Sequence, residues 1–252
     1  PDVSQTKKEA VESTQFYSDS VGPDRATIIE DNEEALKMRL RVIKDAQKTL
    51  ILSTFDFRSD DAGKDILAAL LNAADRGVKV EIFADGFNSI IQMENNDYFY
   101  ALSSNKNIKI IIYNQVNILI PWNGLGRMHD KYVIADDSLY ILGGRNTFGY
   151  FLGDYAGHKN YDRDVLVYNT GSKASSIYQI KDYYKKITSQ KCCSVFHCNE
   201  SLGEKNSVKK AEQELKKRYE SLENKYDKFL AENYDYKANT YETNKINLLS
   251  NP

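Results

Sequence analysis

The sequence predicts an α/β domain: a mixed, mainly parallel β-sheet flanked by helices on both faces, with a C-terminal helical extension. Three observations carry that expectation. Continuous apolar, β-branched runs such as residues 49–55 (TLILSTF) and 108–113 (IKIIIY) read as strands buried on both faces. Between them, apolar residues recur at three- and four-residue spacing, the mark of helices lying on a sheet. The two patterns alternate through the first half of the chain, as they do where helices cover a sheet.

Taken in order, residues 1–27 are polar and aperiodic and read as an extended lead-in. The domain proper runs over 28–190. Asp31 and Asn32 can cap a helix reaching about residue 46, with Ala35, Met38, Val42 and Ala46 on one face. After the strand at 49–55, residues 61–76 place Ile66, Leu67, Leu70, Leu71 and Ala74 on one helical face, and Gly77 ends that helix. Residues 78–84 alternate as a strand, 95–104 are weakly helical, and 108–113 form the next strand. A loop at 114–127 holds Pro121, Trp122, Gly124 and Gly126. Trp122 could line an acyl-chain groove or simply pack its loop. Strands follow at 128–135, 138–142 and 165–168, then a helix at 172–187 with Ile177, Ile180, Tyr184 and Ile187 on one side.

Residues 191–252 contain a cysteine-bearing loop, an amphipathic helix and the start of a following strand. The helix spans 204–232, with Leu215, Tyr219, Leu222, Tyr226 and Phe229 at helical spacing among many Lys and Glu residues. It can serve a membrane surface or a partner, or dock on its own domain; the mixed charge signs favour docking. Residues 246–249 (INLL) read as the first residues of a further strand.

Composition narrows the function classes. The 252 residues are 41% hydrophobic, enough for a proper core. A net charge of -2 lacks the basic excess of a nucleic-acid binder. No apolar run reaches the ~18 residues that span a bilayer. The chain opens on Pro1 rather than Met, which leaves room for a signal peptide or membrane anchor ahead of it. Cys192, Cys193 and Cys198 surround His197, but adjacent cysteines suit a zinc site badly. A disulfide from Cys198 to a neighbour and ordinary reduced thiols both remain open.

The chemistry sits in residues 128–146. On a strand, His129 and Lys131 point one way and Asp130 and Tyr132 the other. An imidazole and an ammonium side by side suit a phosphodiester, one to attack phosphorus and the other to neutralise its oxygens. Gly143-Gly144 predicts a tight turn that brings backbone amides and Asn146 towards an anion. A nucleophilic histidine also needs a carboxylate to fix its tautomer, and Asp162 and Asp164 are candidates.

The order His129-x-Lys131-x-x-x-x-Asp136, followed by Gly143-Gly144-Arg145-Asn146, resembles the phospholipase D superfamily, and the GGRN form resembles bacterial cardiolipin synthases and related phosphatidyltransferases. The likeness covers about residues 28–188. It implies a phosphohistidine mechanism without metal or cofactor, acting on phospholipid phosphodiesters by transfer or hydrolysis. It implies His129 as nucleophile or its acid/base partner, with Lys131, Asn146 and Gly144 around the phosphate. Asp162 stands with His129 and Lys131 in the catalytic group as the carboxylate that orients the histidine. Asp136 is placed in the same group, with a structural role the more usual one. It also implies a membrane-associated or cell-envelope location in a bacterium.

One departure is large. A complete site in this family uses two such motifs, and neither His158 nor His197 builds a second. The other half-site would come from a missing C-terminal half or from a homodimer partner, and the INLLSNP ending favours the former. Two rival readings are a homodimeric nuclease, disfavoured by the charge, and a catalytically inert half-module.

Overall fold

The structure, a computed structural model, describes residues 18–115, 126–197, 200–231 and 233–250. Its strands are β1 (Asp24–Ile29), β2 (Thr49–Thr54), β3 (Lys79–Asp85), β4 (Ile108–Tyr113), β5 (Tyr132–Ala135), β6 (Leu139–Gly143), β7 (Asp164–Asn169), β8 (Cys193–Val195) and β9 (Tyr241–Glu242). Its helices are α1 (Asn32–Asp45), α2 (Asp61–Asp75), α3 (Gly86–Gln92), α4 (Asp97–Ser103), α5 (Ile177–Thr188), α6 (Glu200–Gly203), α7 (Asn206–Lys225) and α8 (Asp227–Leu230). The strands form a single nine-stranded sheet in the order β8-β4-β3-β2-β5-β6-β7-β1-β9.

The sheet is mixed, but not mainly parallel. Only β2–β3 and β3–β4 pair in parallel, where α2 and α3–α4 supply crossovers. Every other neighbouring pair is antiparallel. For one of these pairs the reason is local. Asp136-Asp137-Ser138 is too short for a crossover, so β5 and β6 close as a hairpin.

Alternation along the strands divides the core. Leu50, Leu52, Val80, Ile82, Ile110, Ile112, Val133 and Ala135 face α1, α2, α4 and α7. Ile51, Phe83, Ile111, Tyr132 and Ile134 face Ile177, Ile180 and Tyr184 of α5. The side-chain period of two thus gives both faces a helical cover.

Helix starts follow the residues that can cap them. The side chain of Asp31 accepts from the Glu34 amide at α1, and that of Asp60 from the Gly63 amide at α2. Gly77 closes α2 with a φ of +97°, a conformation that favours glycine.

Three sequence expectations change. Residues 24–27, expected in the lead-in, belong to β1, which pairs with both β7 and β9. A charged residue heads this strand, and Asp24 is buried because Ser175 and Ser176 donate to its carboxylate; that contact is invisible to periodicity. Residues 246–249 form no strand. They run along α5, where the Leu248 amide donates to Gln179 Oε1. The cysteine-bearing segment supplies an edge strand, β8, against β4. Cys192 and Cys193 are thiols, whereas Cys198 and Trp122 lie outside the described residues.

Helix α7 docks on its own domain. Val208, Ala211, Leu215, Tyr219 and Leu222 are buried against α2 and α4, and each buried leucine contributes roughly 2 kcal/mol. Its charged face also reaches inward at one point, where Arg218 pairs with Asp65 of α2 at 2.5 Å.

Candidate functional site

The sheet register gathers one set of loops at one edge. Strand β5 runs antiparallel to β2, with Ser53 opposite Tyr132, so the residues before β5 emerge where β2 ends. Gly143 pairs with Asp164, so the end of β6 and the start of β7 meet at the same edge. Phe55 and Asp56, Asp85, His129 to Lys131, Gly144 to Asn146, and Asp162 therefore share one rim.

Asp136 is not on that rim. It lies at the far end of β5, five extended residues and on the order of 16 Å from Lys131. Its carboxylate accepts from the backbone amides of Gln47, Lys48 and Thr49, each at 2.8 Å. It holds a φ of +53° and latches the β5–β6 hairpin to the start of β2. Of the residues grouped as catalytic, this one takes no part in the site; its oxygens are committed to the backbone.

His129 and Lys131 share a face. The His129 ring meets Phe55 edge-on with centroids 4.6 Å apart, and Lys131 Nζ stands 5.4 Å from the same ring centre. Asp130 points the other way and accepts from Tyr183 of α5 at 2.6 Å. Regular strand begins only at Tyr132, yet the two-residue periodicity already holds. The Lys131 ammonium is buried and donates to the His129 carbonyl at 2.6 Å. Burial lowers the Lys131 pKa, against the opposing charges of Asp130 and Asp162. His129 is exposed at the surface, and its ring nitrogens have no hydrogen-bond partner among the described residues. Its pKa is also lowered, chiefly by desolvation against its neighbours and then by the Lys131 charge. The imidazole is therefore predominantly neutral near pH 7.

Asn146 is nearly buried. Its Oδ1 accepts from the Asp56 amide at 3.2 Å, which leaves Nδ2 without a partner among the described residues, as a free donor at the rim. Between Gly144 and Asn146, Arg145 turns inward. It pairs with Asp164 at 3.1 Å and donates to the carbonyls of Ile29 and Glu30. Arg39 reaches the same carboxylate at 2.9 Å. Burial alone would raise the Asp164 pKa; the two guanidinium groups outweigh it and bring it down.

Asp164 is thus consumed by the core, and Asp162 is the carboxylate on the rim. Asp162 makes no hydrogen bond to His129. It accepts from the Arg163 amide, and its charge acts on Lys131. Nor do Gly143 and Gly144 form a turn that needs a positive φ. They are glycines for space: a Cβ on Gly143 would strike the Asp164 carboxylate, and one on Gly144 the Asp162 carboxylate.

Three rim residues escaped the sequence reading. Phe55 supplies the ring shared by His129 and Lys131. Asp85, fully buried, accepts from Arg127 Nη2 at 2.8 Å and from the Met128 amide at 3.1 Å. Arg127 in turn lies over Phe55 and Phe87, 4.8 and 4.9 Å from their centres. The available signal was an aspartate at the end of a buried strand, directly before Gly86. Among the described residues no three His, Cys, Asp or Glu side chains are grouped to hold a metal ion, and no helix is long and apolar enough to cross a membrane.

Comparison with known proteins bears on the same region. The family described as cardiolipin synthase, PLD-like domain, matches residues 40–187, more than half of the chain. Cardiolipin synthase B of Salmonella typhi is 32% identical over 142 residues, which cover 56% of this chain and 34% of that protein. The chain thus spans about a third of the length of the curated relatives it matches. Among solved structures, NucT from Helicobacter pylori superposes with a TM-score of 0.54 at 22% identity, covering 69% of this chain and 99% of NucT. Phosphatidylserine synthase of Haemophilus influenzae gives 0.50 at 14% identity, covering 79% and 44% respectively. At these identities the two structures speak for the fold.

Proposed function

The chain belongs to the cardiolipin synthase group of phospholipase D-like domains, and on that premise we propose that it cleaves a phosphodiester of a phospholipid, passing the phosphatidyl group to an alcohol or to water. One observation carries the reading: an exposed imidazole and a buried ammonium lie against one phenylalanine ring, on the same rim as an amide donor without a partner among the described residues.

In the proposed first step a lone pair of the His129 imidazole attacks phosphorus and the P–O bond to the leaving alcohol breaks. Lys131 and Asn146 Nδ2 hold the equatorial oxygens as charge builds. The leaving alkoxide takes a proton from a general acid. In the second step an acceptor alcohol, or water, gives its proton to the now deprotonated general acid and attacks phosphorus; the P–N bond breaks and the imidazole is restored. We do not assign that acid to His158 or His197, which sit outside any second motif and are held by Asn160 and Glu94. We assign it to a second half-site, contributed by further sequence or by another copy of the chain.

A lipid substrate is favoured by the cardiolipin synthase relatives in sequence, while the net charge of -2 speaks against a nucleic-acid one. It is also favoured by Phe87 and Ile91 of α3, which are 47% and 57% exposed on the helix that starts where β3 ends. That patch would meet a membrane surface.

The test is turnover of anionic phospholipid vesicles by the purified protein, followed by mass spectrometry for an acid-labile phosphate on His129. Head-group release or transfer that disappears in His129→Ala supports the proposal. Turnover indifferent to that change, or salt-dependent cleavage of DNA in preference to lipid, overturns it.

A further inference from the structure

Resting on the reading of His129 as the attacking group, we propose that Asp85 is its positioning residue, acting through Arg127 and Phe55 as one clamp around the imidazole. The Asp85 carboxylate sits at the end of β3, fully buried, and receives Arg127 Nε at 3.0 and 3.1 Å and Nη2 at 2.8 Å. It also receives the Met128 amide at 3.1 Å. The two residues immediately before His129 are thus tied to one rigid strand end, one by its side chain and one by its backbone.

The same carboxylate fixes the other side of the ring. It accepts from the amides of Phe87 and Asn88 at 3.1 and 3.2 Å, and Asn88 Nδ2 donates to the Phe55 carbonyl at 2.8 Å. Phe55 is the ring on which His129 rests. Arg127 closes the loop, its guanidinium placed against both Phe55 and Phe87. A buried carboxylate that satisfies a half-exposed arginine and three backbone amides costs desolvation, and here its contacts converge on the neighbours of one imidazole. No other described carboxylate makes a hydrogen bond within that clamp, and Asp162 accepts from the Arg163 amide instead.

The pair also sets the field at His129. The charged groups acting there are Lys131 and Arg127, which disfavour the imidazolium, and Asp130 and Asp85, which favour it. Removing Asp85 or Arg127 therefore moves the histidine in opposite directions, whereas a merely structural loss would not.

The chain holds three histidines, so the His129 resonance is assigned with His129→Gln and titrated by NMR. Asp85→Asn keeps an oxygen for the α3 amides and lowers the His129 midpoint. Arg127→Met raises it, each by about half a pH unit or more. Arg127→Lys keeps the charge but not the fork, and leaves the midpoint near that of the parent. All three reduce kcat on phospholipid about tenfold or more with KM little changed, as expected when geometry rather than binding is lost. Unmoved midpoints in both Asp85→Asn and Arg127→Met overturn the proposal. So does a rise in KM alone for Arg127→Met, which would make Arg127 a substrate contact. Should Asp85→Asn fail to fold, the two arginine variants at the surface decide. Loss of the lipid reading, through turnover that survives His129→Ala, leaves the titrations to judge the clamp by themselves.

Discussion

The carboxylate of Asp162 fills the space that a side chain on residue 144 would occupy. One strand pair along, Asp164 stands in the same relation to Gly143, but there the backbone of Arg163 and Asp164 closes in as well. The two adjacent glycines therefore differ in what they protect.

Gly143→Ala is expected to cost about 1–3 kcal/mol of stability, because backbone must move. Gly144→Ala should cost less and act on activity, since it pushes aside only the Asp162 side chain, whose charge acts on Lys131. In a double-mutant cycle, Asp162→Ala should relieve most of the Gly144→Ala stability loss. Urea unfolding of the four proteins checks this; equal losses for both glycine variants would contradict it.

Asp164 should be a stability residue and Asp162 should not. Asp164→Asn leaves two buried guanidinium groups against a neutral partner and is expected to cost about 3–5 kcal/mol. Asp162→Asn, at an exposed position, should fall within about 0.5 kcal/mol of the parent while lowering turnover. The pH dependence has a definite sign. The folded Asp164 pKa lies below its ordinary value of 3.8, so its contribution is complete above that value and disappears as pH falls through the lower folded one. Acid unfolding of the parent should therefore lose this contribution below about pH 4, and Asp164→Asn should lack it.

Asp136→Ala separates the motif's last residue from its first two. It removes three charge-assisted hydrogen bonds to amides 47–49 and frees a non-glycine residue at φ +53°. A loss of roughly 1–3 kcal/mol in thermal or urea unfolding is expected. The turnover of the folded fraction should match the parent; a specific collapse of kcat with stability intact would place Asp136 in the chemistry.

With His129 attacking as proposed, the rate should rise with pH through its midpoint, because an imidazolium has no lone pair to attack phosphorus. That midpoint lies below the ordinary 6.5, since desolvation and the Lys131 charge both disfavour the imidazolium. A pH profile of kcat/KM should place its acid limb below 6.5. Lys131→Met should move the limb upward while lowering the rate, the direction that loss of a neighbouring positive charge requires.

Several layers were legible without coordinates. The runs at β2 and β4 announce themselves as buried strands, and α1 and α2 by periodicity, with Asp31 as the cap of α1 and Gly77 as the end of α2. His129 and Lys131 share a face because extended chain alternates, whether or not regular strand has begun. What the sequence could not disclose depends on residues distant along the chain. Strand β1 opens with a charge that only Ser175 and Ser176 make tolerable in the interior. The sheet became largely antiparallel because hairpins and edge pairings outnumber crossovers.

By itself the sequence determined the chemical inventory: an imidazole and an ammonium at a spacing that extended backbone turns to one side, and an amide beyond the next strand. Only the tertiary structure decided which carboxylate serves which partner. Asp136 was drawn to backbone amides, Asp164 to two buried arginines, Asp162 to the rim near Lys131, and Asp85, some forty residues upstream, to the base of the His129 segment. The physical reason is that a carboxylate's role is set by the donors and charges that surround it, and these arrive from strands whose neighbours are chosen by sheet pairing, not by position along the chain.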